Sequence, residues 1–344
     1  MICEGSRFLK KIIIVVISSK IYTKFIFLLI LSSMKRFRFI LAALLLLSVL
    51  PLPAQETHLF AERDTCNLYL DIWRPAEGSE TAIDGVQKPA ILFVFGGGFI
   101  SGNRRDKWNL PWFRKMQEDG YTVISIDYRL GMKSVEVGKS LPALYQSSKD
   151  FYMAQQMGVE DLFSAVSFLA ENRDRLGIDP DNIVVSGSSA GAIISMAAVH
   201  DISCGLTAGL PEGFSFKGVM SFAGAIVSIT GEPRFGKAPC PMLLLHGTAD
   251  KAVAYKHFGT IARGIWGSDW IARQCRKNGW DCCIWRFQDR THDVAAYMEV
   301  LWDTEKDFIE KNVMKGVHRS MDSLVDDPSL PTFSFSISMK DIYN

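Results

Sequence analysis

What most constrains this chain is an alternation of two patterns. Short, mainly apolar runs of strand length recur at residues 90–95, 121–126, 183–186, 216–222 and 242–245, as expected of strands covered on both faces. Residues 67–73 alternate apolar and polar positions, which fits a strand with one solvated face, and 283–287 form a weaker candidate. Between these runs lie helical patterns. Residues 159–171 set Leu162, Val166 and Leu169 on one face, 190–200 is apolar almost all round, and 270–277 and 295–311 complete the series. Asp179-Pro180-Asp181-Asn182 punctuates the chain before a strand. Strands alternating with helices predict an α/β fold, a doubly wound and mostly parallel sheet with helices on both faces. The 344 residues, 48% of them hydrophobic, suffice to bury one large core of this kind.

Two segments break the rhythm. Residues 131–158 are long, polar and mixed, and an insertion of that size predicts a lid or binding loop over a site. Residues 316–344 are polar and Ser-rich, a tail expected to wrap the surface or lack order. The core domain is accordingly expected over 55–315.

The first 54 residues differ from the rest, with apolar stretches near 12–31 and 39–50. The second has the form of a secretory signal. Met34 is followed by Lys35-Arg36-Phe37-Arg38, the apolar run, and then Pro51-Leu52-Pro53-Ala54. Cleavage after Ala54 leaves Gln55 as the mature N-terminus, with Met34 as an alternative start to Met1. The expectation is export to the periplasm or the exterior, without a stable membrane partner after cleavage. The alternative is a membrane anchor through the apolar segments, although Lys20 and Lys24 interrupt 12–31. Six cysteines follow residue 54; their spacing gives no zinc pattern, and small buried side chains are the simplest reading for most of them. The net charge of +1, with no long run of one sign, argues against a nucleic-acid partner.

Chemistry concentrates at Gly187-Ser188-Ser189-Ala190-Gly191. G-x-S-x-G is a weak pattern alone, but here an apolar strand runs into it and an apolar helix leaves it. Such an elbow holds a serine hydroxyl above the carboxyl end of a sheet. A serine needs a base to take its proton. Of six histidines, His292, in Arg290-Thr291-His292-Asp293 between the last strand and the last helix, is best placed to reach back over Ser189, with His257 the alternative. His246 ends a strand and reads as organising its own loop. Asp250, just after the 242–245 run, is placed to orient the base. Asp127 also ends a strand but reads as a structural partner of Arg129 or a neighbouring loop. Phe95-Gly96-Gly97-Gly98-Phe99 supplies small residues whose backbone N–H groups can approach a substrate oxygen.

In order and spacing, Phe95-Gly96-Gly97-Gly98-Phe99, Asp127-Tyr128-Arg129-Leu130, Gly187-Ser188-Ser189-Ala190-Gly191 and His246-Gly247-Thr248-Ala249-Asp250 resemble the α/β-hydrolase superfamily, in particular its H-G-G-G esterase/lipase branch, over roughly residues 65–313. The resemblance implies an eight-stranded type of sheet, a catalytic triad of Ser189, Asp250 and His292, and an oxyanion hole of Gly97, Gly98 and Ala190. Phe95 departs from the branch, where His is usual. The expected activity is hydrolysis of carboxylic esters through an acyl-enzyme, with no metal or cofactor. The substrate would be a small-molecule or oligosaccharide ester, such as an acetylated or feruloylated fragment of plant polysaccharide. Phe99, Tyr145 and Tyr152 are expected at the substrate wall, with Phe151 beside them. A serine exopeptidase of the same fold, or a non-catalytic binding protein built on it, are the alternatives.

Overall fold

The computed structural model describes residues 55–135 and 140–333, apart from the side chains of Leu141 and Leu144. The chain divides between Ala54 and Gln55, and the described residues belong to the second unit. The apolar stretches and the candidate signal segment all fall in the first, outside the described residues.

The second unit is built on one large sheet. Its strands, in chain order, are β1 (Gln55–Arg63), β2 (Cys66–Trp73), β3 (Ala90–Val94), β4 (Val123–Ile126), β5 (Ile183–Ser188) and β6 (Gly218–Phe222). A short strand, β7 (Ala225–Ser228), follows and leaves the sheet, which resumes with β8 (Met242–Gly247). A hairpin of β9 (His257–Thr260) and β10 (Arg263–Gly267) comes next, and β11 (Cys282–Phe287) and β12 (Met321–Val325) end the series. The large sheet has nine strands in the order β1-β2-β4-β3-β5-β6-β8-β11-β12. Only the β1–β2 and β2–β4 pairs are antiparallel. The central strands are buried throughout, which is why they read as apolar runs. Strands β9, β10 and β7 form a separate small antiparallel sheet.

Five helices matter for the site: α1 (Leu110–Glu118), α2 (Leu141–Glu171), α3 (Ala190–Ser203), α4 (Ser268–Asn278) and α5 (Trp302–Phe308). Helix α3 is buried on nearly every side, as its sequence suggests. The expected helix over 295–311 is instead a 3₁₀ turn at His292–Ala296, then α5, then a wider turn over Ile309–Met314. Among the described residues no helix is long and apolar enough to cross a membrane, and all six cysteines are free, with Cys275, Cys282 and Cys283 buried in the core.

Two sequence expectations are corrected. The expected lid over 131–158 is largely the first half of α2, a single helix of 31 residues. Ser140 caps its start, accepting from the Ala143 N–H at 3.3 Å, and Pro142 sits in the first turn. Its Gly158 allows close contact with α3, since a Cβ there would lie 2.4 Å from Ile194 Cδ1. The sheet has nine strands rather than eight, and the ninth, β12, comes from the expected tail. It pairs in parallel with β11, so the folded unit runs past 315. Of the two partners left open for Asp127, the structure takes the neighbouring loop: Asp127 pairs with Arg104 at 2.6 Å, while Arg129 is taken up by Asp161 and Glu160.

Candidate active site

Ser189 stands between β5 and α3 in a tight elbow, with φ +52° and ψ −118°. Small neighbours make the elbow possible. A Cβ on Gly187 would lie 2.3 Å from the Gly191 carbonyl oxygen, and one on Gly191 would lie 2.0 Å from that of Val94. The Ser189 N–H donates to Phe222 O on β6 at 2.9 Å, and Ser188 Oγ donates to Ala295 O at 2.6 Å. The elbow is thus tied both to the next strand and to the turn that carries His292.

Ser189, His292 and Asp250 form one hydrogen-bonded chain. His292 Nδ1 lies 2.7 Å from Asp250 Oδ2, and His292 Nε2 lies 2.8 Å from Ser189 Oγ. An ionised carboxylate accepts only, so Nδ1 carries the proton, Nε2 is left as acceptor, and the serine hydroxyl donates to it. Asp250 Oδ1 accepts the N–H groups of Ala252 (2.8 Å) and Val253 (3.0 Å). Burial pushes the Asp250 carboxyl up, but hydrogen bonds from His246 and His292 and their electrostatic attraction outweigh it and hold the group well below the usual carboxylate range. The loops carrying acid and base are themselves joined: Thr248 N donates to Phe287 O and Ala249 N to Arg290 O, each at 2.9 Å. Gly247 permits this approach, because a Cβ there would lie 2.3 Å from the Arg290 and Thr291 oxygens.

The glycine loop packs directly on the elbow. A Cβ on Gly96 would lie 3.2 Å from Ser189 Cβ. Gly97 and Gly98 adopt φ +127° and +63°, and Gly97 O accepts from Ile100 N (3.0 Å) and Ser101 N (3.1 Å). Among the described residues, the N–H groups of Gly97, Gly98 and Ala190 have no acceptor. Phe95, where the resemblance expects His, is buried. It stacks on Tyr128 at 4.4 Å, and Tyr128 donates its hydroxyl to Phe95 O at 3.1 Å. Gly102 lies against the same ring, so an apolar stack organises this loop.

The expected substrate wall fares differently. Phe99 is wholly buried, edge-on to Tyr128 and to Phe151 (5.1 Å between the latter pair of rings), and is a core residue rather than a wall. Tyr145 lies exposed on α2, its ring 3.9 Å from the Arg263 guanidinium of β10. Tyr152 is half-buried on α2. His257, the alternative base, is exposed on β9 and stacks on Trp266. Sequence reasoning read His246 as organising its own loop but missed what it touches: it is fully buried, with Nε2 3.2 Å from Asp250 Oδ2 and Nδ1 2.8 Å from Ser268 Oγ. Its place four residues before Asp250, at a strand end, was the available signal.

A mostly parallel sheet with a strand–serine–helix elbow at the carboxyl ends of its strands is the α/β-hydrolase fold. Comparison with known proteins agrees. Residues 70–224 match the BD-FAE family model. The chain is 28% identical over 127 residues to fumonisin B1 esterase of Sphingopyxis macrogoltabida, covering 36% of this chain and 21% of that protein. It is 31% identical over 135 residues to chlorogenic acid esterase of Aspergillus niger, covering 36% and 22%. The aligned part therefore spans about a fifth of these relatives. Esterase 2 of Thermogutta terrifontis superposes with a TM-score of 0.51 at 22% identity, over 76% of this chain and 93% of that one. Over residues 70–224, somewhat less than half of its length, the chain is thus similar to the BD-FAE family, and its fold is that of an esterase of known structure.

Proposed function

We propose that the protein is an exported serine esterase that cleaves carboxylic esters with Ser189 as nucleophile, His292 as base and Asp250 as its orienting acid. The observation that carries this reading is the continuous chain from Ser189 Oγ through both nitrogens of His292 to Asp250 Oδ2.

Ser189 Oγ attacks the ester carbonyl carbon while His292 Nε2 takes its proton. The carbonyl oxygen becomes an oxyanion facing the N–H groups of Gly97, Gly98 and Ala190, the last at the positive end of α3. The intermediate collapses, the C–O bond to the alcohol breaks, and the alcohol oxygen takes the proton from His292. Water then gives a proton to His292 and attacks the acyl carbon. Ser189 Oγ leaves and recovers its proton. Asp250 remains ionised throughout and stabilises the imidazolium that forms in each half.

Acyl groups on plant polysaccharides or their fragments, acetyl or feruloyl, are the proposed substrates. The similarity to a chlorogenic acid esterase supports a carboxylic ester as the substrate. The signal-like segment before Gln55 supports export, and β1 pairs with β2 from Gln55 onward, so cleavage after Ala54 leaves the sheet whole.

Hydrolysis of p-nitrophenyl acetate and butyrate by wild type and Ser189→Ala tests the chemistry. The expected result is turnover that vanishes in the variant. A screen of acetylated and feruloylated sugars tests the substrate class, and N-terminal sequencing of the exported chain is expected to begin at Gln55.

A further inference from the structure

We propose that Arg290 is a positioning residue which ties the His292 loop to the C-terminal segment 326–333, and that this strap sets the imidazole against Ser189. The inference rests on the serine-esterase reading above.

Because β12 runs parallel to β11, the chain leaves it at the end of the sheet where the site lies. Gln288 N, at the start of the His292 loop, donates to Val325 O at 2.8 Å. From there the Arg290 guanidinium gathers the strap. Its Nη2 donates to Leu330 O (2.8 Å) and Asp327 O (3.1 Å), and its Nη1 to Thr332 Oγ1 (3.1 Å) and Pro331 O (3.5 Å). A guanidinium is the side chain whose fixed fork suits several acceptors at once. The main chain of the same residue faces the other way, accepting from Ala249 N in the acid's loop. Arg290 therefore joins the acid loop, the base loop and the tail.

A second tie acts on the far side of His292. The Tyr297 hydroxyl lies 2.8 Å from Pro331 O and 3.0 Å from Asp293 Oδ2, and Phe333 packs its ring against Tyr297. Asp293 Oδ1 in turn accepts from the N–H (2.9 Å) and hydroxyl (3.2 Å) of Thr291. Both chain neighbours of His292 are thus fixed, and what fixes them is attached to the strap. The imidazole sits on a one-turn 3₁₀ segment with little rigidity of its own.

The test uses the full chain, with Arg290→Gln, Arg290→Lys and Tyr297→Phe assayed on p-nitrophenyl acetate well below each melting transition. Arg290→Gln is expected to lose about 10- to 100-fold in kcat, the scale on which a misplaced catalytic group loses rate. KM should stay within about twofold, because ground-state binding is untouched. Arg290→Lys should recover part of the loss, and Tyr297→Phe should lose kcat several-fold. Unchanged kcat in Arg290→Gln, or in Tyr297→Phe if the Arg290 variants do not fold, overturns the strap while Ser189-dependent turnover of the wild type stands. Wild-type turnover that survives Ser189→Ala overturns the esterase reading, and the strap with it.

Discussion

His246 and His292 bring ring nitrogens to the same carboxylate oxygen, Asp250 Oδ2, at 3.2 and 2.7 Å. With two backbone N–H groups on Oδ1, the acid is held from four directions. The network continues through Ser268, whose hydroxyl lies between His246 Nδ1 and Gly224 O (3.2 Å), two residues beyond the Phe222 carbonyl that holds Ser189 N. Replacing His246 by Ala removes one of the partners of a buried charge, an interaction of about 1.5–3 kcal/mol. His246→Ala is therefore expected to melt lower and to lose roughly 10- to 100-fold in kcat, because the carboxylate that orients His292 is freed to turn. Calorimetry together with steady-state kinetics checks this. If kcat holds within about twofold while stability falls, His246 serves the fold and not the acid.

Asp250 itself gives a pH prediction. Its folded-state pKa lies below the ordinary value of 3.8, so the stability it contributes is fully present above that value and is lost as pH falls through the folded-state value. Asp250→Asn is expected to flatten the acid limb of a melting-temperature profile below about pH 4. At neutral pH it should cut kcat by about ten-thousand-fold, since an amide stabilises the wrong tautomer of the base. Equal acid limbs in wild type and variant would mean that the carboxylate is not held ionised by the two histidines.

How much of this was legible in the sequence follows from which forces act locally. The elbow at Ser189 was readable because strand, glycines and helix are contiguous and each needs the others: Gly187 and Gly191 leave no room for a Cβ. The central strands were readable because burial on both faces leaves an apolar run. Helix α2 was misread over 141–158 because a half-exposed helix carries polar residues on most of its surface, although Ser140 and Pro142 marked its start. Strand β12 escaped notice for a related reason: at a sheet edge its residues alternate between half-buried and exposed, so no apolar run marks it. Nor does spacing reveal that Arg290 would meet carbonyls some forty residues further on, since a backbone acceptor carries no side-chain signature.

The glycine loop makes its own prediction. Gly97 has φ +127°, and a Cβ there would lie 2.0 Å from Ser101 O, which the Gly97 carbonyl's own turn holds in place. Gly97→Ala must open that turn and move the N–H groups proposed to meet the oxyanion. Loss of one such donor costs about 100- to 1,000-fold in kcat. Phe95→Ala acts one step back, removing the stack on Tyr128 at a cost of about 3–5 kcal/mol in stability, with activity falling as the loop loosens. Measuring kcat for both, alongside urea melts, separates the two: Gly97→Ala should lose rate out of proportion to stability, Phe95→Ala both together.

Glu305 supplies a test of the core beneath the site. It lies fully buried on α5, with Oε2 accepting from Trp112 Nε1 at 2.9 Å and Oε1 without a partner among the described residues. Trp112 packs edge-on to Phe93 and Phe222, so the carboxyl faces an apolar interior. Burial pushes it well above the usual range, more strongly than the Trp112 hydrogen bond and the Lys115 charge pull it down. For an acid raised in the folded state, the stability it contributes is fully present below its ordinary value of 4.5 and is lost as pH rises from there toward the folded-state value, because folding must then take up a proton. Glu305→Gln keeps the shape and an oxygen for Trp112 but cannot ionise. The melting temperature of the variant should therefore gain on that of the wild type as pH rises from 5 to 8, with all other titrating groups common to both. A difference that does not change over that range would mean that Glu305 stays charged inside the fold.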